Sequence, residues 1–301
     1  MDFINPAKTE PTVFHYTSAA GLLGMIKNRE IWATGSNYLN DPTEISFAAT
    51  ALAAALRERL KSGDTDWERA QAALDLLGTY IDPNSPDQYH EDRSFISSFS
   101  RSDQSLTLWR LYGGRNGFCI GFDESHLLRW TGPDFPTHNG HDLAGVEREE
   151  FDAALRANYQ LSAHIENVSY GAQHVAPIVA KIMSLPFDLE GSFLYEGRLR
   201  TAMNKLSSIK HPAFEDEREA RLVVREVHHH AVDSDVRVSA SGALVAHRKV
   251  MFPFEAVQSI TMAPGANAPQ QRRALEALMA QGGRDPYGHV EIRECGLPFV
   301  W

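Results

Sequence analysis

The sequence predicts an α+β fold with a mostly antiparallel sheet and flanking helices. Short β-branched or aromatic runs recur along the chain, over residues 13–16, 94–100, 118–122 and 257–262. Between them lie stretches whose apolar residues recur at helical spacing. No internal repeat, low-complexity tract or convincing linker divides the chain, so residues 1–301 read as a single domain.

Taken in order, residues 13–16 form a strand after Pro11. Thr17 or Ser18 caps a helix that puts Leu22, Leu23 and Ile26 on one face. Asn28 and Arg29 end it, and residues 30–33 form the next strand. One member of the His15-Tyr16 pair should face inward. Asp41, Pro42 and Glu44 spell a capping box with proline at the first helical position. An alanine-rich helix follows to about Lys61, and a second helix covers residues 67–80. Tyr38 and Asn40 precede the cap with no structural duty, so they are candidates to line a site.

In the 94–100 strand, Phe95, Ser97 and Phe99 share one face, and Ile96, Ser98 and Ser100 the other. Ser102 or Asp103 caps a short helix carrying Leu106, Trp109, Arg110 and Tyr112. Residues 113–117 turn into the 118–122 strand, where Cys119 reads as a packed small hydrophobe. Residues 131–145 read as a surface insertion. Its His138, His141 and Asp142 are held by nothing local, so no metal site is assigned. Helical patterns cover residues 147–159, 174–185 and 187–207, with a strand at 165–170 between the first two. Lys210-His211-Pro212 leads by a loop into a strand over 217–227. His228, His229 and His230 read as a turn. A hairpin over 236–254, a strand at 257–262, a helix at 269–281 and a strand at 289–293 complete the chain.

The 43% hydrophobic content is enough for a sizeable core. Lys and Arg total 29 against 39 Asp and Glu, a formal charge of −10. That balance argues against a wholesale grip on a phosphate backbone. Two cysteines, Cys119 and Cys295, suggest a reduced cytoplasmic protein. Residues 1–11 are polar and do not read as a signal peptide. No apolar run approaches the roughly 20 residues that span a bilayer, so no membrane partner is expected.

The stretch most suggestive of chemistry is 214–224, Phe-Glu-Asp-Glu-Arg-Glu-Ala-Arg-Leu-Val-Val. On an extended chain Glu217, Glu219 and Arg221 share one face, and Ala220, Leu222 and Val224 turn to the core. A strand mouth of this kind can hold a carboxylate over a pocket. It can equally be a strand start with an internal Glu219–Arg221 ion pair.

Several motifs in order resemble the bacterial domain-of-unknown-function family 2971. They are His15-Tyr16-Thr17-Ser18, Tyr38 to Glu44, Ser98-Phe99-Ser100, Trp109 to Gly113, Gly117 to Phe122 and Glu217 to Arg221. The opening strand and helix also look like those of the ADP-ribosyltransferase superfamily, in particular DarT-type toxins and poly(ADP-ribose) polymerase-like enzymes. This second resemblance implies a split, mostly antiparallel sheet of ADP-ribosyltransferase-like form, with NAD as co-substrate. It makes His15 an NAD contact and Glu219 the catalytic carboxylate, with Glu217 beside it. Ser98 and Ser100 become the middle motif. It places backbone around Tyr16 and Thr17 on the carboxamide, and Tyr38, Tyr112 or Trp109 on the nicotinamide ring. Arg110 or Arg221 would neutralise the pyrophosphate. It further implies a toxin or phage-defence effector, an acceptor that is nucleic acid or protein, and a possible antitoxin partner. Two other readings stand beside it: a non-catalytic nucleotide-sensing module of the same fold, and a metal-dependent nuclease using Asp216, Glu217 and Glu219. The transferase reading requires His15 and Glu219 to line one cleft.

Overall fold

The computed structural model describes residues 12–35, 43–61, 67–81, 94–128, 161–186, 193–226, 235–239, 242–265, 267–280 and 287–298. Strand β1 (Thr12–Thr17) runs into helix α1 (Ala19–Asn28), whose cap is Ser18; its hydroxyl accepts the Gly21 amide. Leu22, Met25 and Ile26 are buried, while Leu23 faces solvent. The inward stripe is therefore an i, i+3, i+4 set, and Met25 takes the place expected for Leu23. Arg29 adopts a left-handed conformation (φ 54°) and releases the chain into β2 (Glu30–Gly35).

Helices α2 (Thr43–Lys61) and α3 (Trp67–Ile81) pack through Ala48, Leu52 and Leu56 against Ala70, Ala73 and Leu77. The alanines let the two backbones approach closely. Strand β3 (Ser94–Ser100) buries Phe95 and Phe99 on one face, as its alternation predicts. The cap of the next helix is Ser105, not Ser102 or Asp103: its hydroxyl accepts the Leu108 amide. That short helix, α4 (Leu106–Leu108), continues as a π-helical turn, Trp109–Gly113. Strand β4 (Phe118–Asp123) and helix α5 (Glu124–Leu128) follow.

The 165–170 strand is two strands. β5 (Leu161–Asn167) belongs to the main sheet, and β6 (Ser169–Tyr170) pairs in parallel with β7 (Ile209–Lys210) in a separate ribbon. Between them, a 3₁₀ turn (Ala172–Val175) enters α6 (Ala176–Met183). Helix α7 (Phe193–Met203) ends in a 3₁₀ turn, Asn204–Ser208. A further 3₁₀ turn, Pro212–Glu217, precedes β8 (Glu219–Glu226). β9 (Asp235–Val238) and β10 (Leu244–Met251) form the expected antiparallel pair. β11 (Val257–Met262), α8 (Ala268–Met279) and β12 (Glu291–Glu294) close the described chain.

The main sheet runs β12-β11-β4-β1-β3-β2-β10-β9, with β8 also on β3 and β5 on β8. Every pairing in it is antiparallel except β11 with β12. β3 is where it divides. One edge of β3 pairs with β8 along its whole length. The other edge is shared, with β1 touching it at Ser100 and β2 at Ile96 and Phe95. Ser98 falls in the fork between them.

One face of the sheet is covered by α1 and α8 over a core that includes Phe95, Phe99, Ile120 and Leu222. A second core lies among α2, α3, α6 and α7. The turn Asn204–Ser208 and strand β7 belong to that second layer through Leu206 and Ile209, and their polar side chains meet the other face of the sheet. No helix among the described residues is long and apolar enough to cross a membrane. The expected cap at Asp41 and Pro42, the 131–145 insertion with His138, His141 and Asp142, the 147–159 helix and His228 to His230 lie outside the described residues.

Candidate functional site

Arg218 takes a left-handed conformation (φ 45°) between Glu217 and Glu219. The two carboxylates therefore do not share a strand face by alternation; Glu217 ends the 3₁₀ turn and only Glu219 starts β8. The kink nevertheless aims both at one cation. Lys210 Nζ lies 2.7 Å from Glu217 Oε2 and 3.2 Å from Glu219 Oε2. Arg221 grips Glu219 with both prongs, Nε to Oε1 at 2.8 Å and Nη2 to Oε2 at 3.0 Å. Its Nη1 donates to the Ser207 carbonyl. Ser100 donates its hydroxyl to the Glu217 carbonyl at 2.8 Å, and the Glu219 amide donates to Tyr170 Oη at 2.7 Å.

All four charged side chains are buried, Arg221 most completely at 2% exposed and Glu219 at 5%. Two anions thus meet two cations at the junction between the sheet and the helical layer. Burial alone would raise the Glu219 pKa. Arg221 outweighs that, helped by Lys210 and the Ser98 hydroxyl, and the carboxyl sits below its ordinary value. Glu219 is therefore ionised at neutral pH.

A second buried acid adjoins this quartet. Glu166 of β5 stands opposite Arg221 in register. It accepts hydrogen bonds from Lys205 and Ser208, with His164 Nε2 at 3.6 Å. Burial opposes its ionisation, but these donors override it and bring its pKa to about 2. Glu166, Lys205, Ser208, Lys210 and Tyr170 were not foreseen from the sequence. The alternation Ala163-His164-Ile165-Glu166 did mark a polar face on β5. Nothing near Lys210 in sequence announces its partners.

At the fork, His15 Nδ1 donates to the Ser98 carbonyl at 3.0 Å, and its ring lies 5.4 Å from that of Phe99. The carbonyl can only accept, so Nε2 is the free acceptor of the neutral ring. Burial lowers the His15 pKa, against an opposing push from the Ser98 bond. Register sets Phe14 opposite Ser100 and Ser100 opposite Glu219. His15 therefore lies on the other face of the sheet from Glu219. The single open cleft expected from the sequence is not what the fold builds. His15 bonds the Ser98 carbonyl, while in register Ser98 stands opposite Arg221 and its hydroxyl is the smallest of the influences that favour the Glu219 carboxylate. Ser98 itself is exposed, whereas Ser100 is fully buried and cannot meet a ligand.

The remaining expectations divide by burial. Tyr16 is in the core. Its hydroxyl donates to Ser102 O at 2.9 Å and accepts the Ser105 amide at 3.1 Å, and burial raises its pKa. Trp109 is wholly buried with its ring 5.0 Å from Tyr16, edge to face, so it packs and does not stack on a ligand. Thr17 is half-buried at the end of β1. Arg110 and Tyr112 lie exposed on the π-helical turn. Tyr38 and Asn40 lie outside the described residues. Among the described residues no group of three or more His, Cys, Asp or Glu side chains is placed to hold a metal. Between Glu217 and Glu219, where the nuclease reading needs a divalent ion, sits the Lys210 ammonium, and Asp216 faces solvent.

Residues 108–222 match a family described as "Protein of unknown function (DUF2971)". The matched span runs from Leu108 to Leu222 in β8. It includes Glu166, Lys210, Glu217, Glu219 and Arg221, but neither His15 nor Ser98. No curated protein and no solved structure matches the chain.

Proposed function

We propose that the protein is an NAD-consuming ADP-ribosyltransferase whose reaction centre is the fork at Ser98. What supports this is the ionised Glu219 at the mouth of β8, beside the point where the sheet splits, with His15 bonded to the Ser98 carbonyl on the neighbouring strand and on the other face of the sheet. In the reaction the bond between nicotinamide and ribose breaks, and nicotinamide leaves with the bonding pair. The sugar carbon left behind carries cationic character, which an ionised carboxylate stabilises. Glu219 is ionised at neutral pH. A nucleophilic nitrogen or oxygen of the acceptor then bonds to that carbon and loses its proton. The neutral His15 ring offers Nε2 to a ribose hydroxyl, and Arg110, exposed on the π-helical turn, is the candidate cation for the pyrophosphate. A toxin or phage-defence role belongs to the same reading, with a nucleic-acid or protein acceptor and an antitoxin as partners.

The test is release of free nicotinamide when the purified protein is incubated with labelled NAD and a cell lysate. Wild type should release nicotinamide and label one class of acceptor. Ser98→Ala removes an exposed hydroxyl and should lower the rate about tenfold with an unchanged melting temperature, a cost of about 1.4 kcal/mol in the transition state. Glu219→Gln should abolish it. If the wild type neither releases nicotinamide nor binds NAD, the proposal is lost.

A second reading has its own observation. Both Glu219 oxygens are already taken by Arg221 and Lys210, which offset the charge that catalysis would use. On this reading the fork binds the nucleotide without turnover. Saturable NAD binding with no nicotinamide release would select it.

A further inference from the structure

We propose that a cavity beside the buried quartet, walled by Glu166, binds a phosphate monoester. It has a volume of about 400 Å³ and lies between β5, α6, α7 and the turn Asn204–Ser208. That size suits a small phosphorylated metabolite such as a nucleoside monophosphate. Pro177, Ile178 and Ile209 give it an apolar floor. Lys181 and Lys205 line it as cations and Ser169 adds a hydroxyl, while the Thr201 hydroxyl donates to the Gly197 carbonyl at 2.8 Å.

The charge balance favours an anion. Glu166, 8% exposed, is the carboxylate on the wall, and it is already matched by Lys205 and Ser208. Lys181 makes no ion pair among the described residues and is exposed on α6. An arriving phosphate would therefore meet an ammonium with no ion-pair partner among the described residues, the Ser169 hydroxyl and a carboxylate whose charge is spent. A tetrahedral dianion with several acceptor oxygens uses such a set better than a neutral ligand does. The apolar floor would receive the rest of the molecule.

The cavity adjoins the quartet through Glu166, but none of Lys210, Glu217, Glu219 and Arg221 lines it, so its test is separate. Adenosine monophosphate, adenosine and inorganic phosphate are titrated into the full chain by calorimetry. The monophosphate should bind saturably, and adenosine at least about tenfold more weakly, a difference of about 1.4 kcal/mol. Lys181→Glu should weaken the monophosphate by about tenfold or more while leaving the melting temperature and nicotinamide release unchanged. Equal binding of adenosine and its monophosphate would overturn the proposal. So would wild-type affinity in Lys181→Glu, or no saturable binding of any probe to the wild type.

Discussion

Lys210→Met is the sharpest probe of the buried quartet. The substitution keeps the aliphatic stem, including its place beside the Phe214 ring 4.4 Å from the ammonium, and removes the charge. The ammonium contacts two carboxylates at 2.7 and 3.2 Å. At an effective dielectric near 20 each contact carries a gross attraction of about 5–6 kcal/mol, most of it cancelled by desolvation. What remains after the change is Glu219 gripped by Arg221 and a buried Glu217 that has lost the Lys210 ammonium. Leaving a buried charge unmatched costs about 3–5 kcal/mol, a large part of the roughly 5–15 kcal/mol that holds a domain folded. Urea unfolding followed by tryptophan fluorescence measures it. The pH dependence carries the mechanism. In the variant, the surplus carboxyl has a folded pKa raised above its unfolded value near 4.3. Its protonation stabilises the fold below that unfolded value, and this help is lost as pH rises. The deficit against wild type should therefore be full at pH 7 and shrink as pH falls through the carboxylate range. Adding Glu217→Gln should recover about 1–3 kcal/mol, since the two sites are in contact. A deficit below about 1 kcal/mol at pH 7, or one that does not shrink in acid, would refute this account of the quartet.

Two further outcomes follow from the same geometry. The Glu166 pKa is depressed to about 2, so its contribution to stability is complete above the unfolded value near 4.3 and fades as pH falls toward 2. The stability gap between wild type and Glu166→Gln, read from urea titrations, should close over that window; a gap that persists at pH 2 would contradict it. Gly117→Ala would place a methyl 1.8 Å from the Gly113 carbonyl oxygen, where only backbone can yield. It should cost about 1–3 kcal/mol and loosen the turn into β4, visible as a lower melting temperature.

The strands were legible because their side chains alternate. Phe95 and Phe99 against Ile96 and Ser98, and Ala220, Leu222 and Val224 against Glu219 and Arg221, assign their faces without any partner in view. The β9–β10 hairpin was legible for the same reason. What alternation could not supply was local backbone twist. Arg218 is not a residue that advertises a left-handed conformation, so Glu217 and Glu219 were read as one face of one strand. The same limit hid Ser105. Three polar residues at 102–105 are all competent caps, and only the hydrogen bond to Leu108 selects one. Tyr16 and His15 posed a choice that alternation leaves open. The Tyr16 hydroxyl's two backbone partners, 86 and 89 residues away, decide it.

The site was half legible for a deeper reason. Glu219 and Arg221 are two apart, so their ion pair follows from strand geometry. Lys210 reaches the same carboxylate only because the Pro212–Glu217 turn folds it back, and Ser98 stands opposite Arg221 only because β3 lies beside β8 in one register. Such contacts are set by packing between layers. Packing alone, however, does not favour four buried charges. Apolar side chains of like volume usually hold two layers together as well or better. A chain that keeps two acids and two bases beneath an exposed serine, where its sheet divides, gains little stability over an apolar joint. It does gain a fixed, dry electrostatic environment around one carboxylate. That asymmetry between what the quartet costs and what it can hold in place is the physical ground for seeking chemistry at the fork and not at the more open polar surfaces of the molecule.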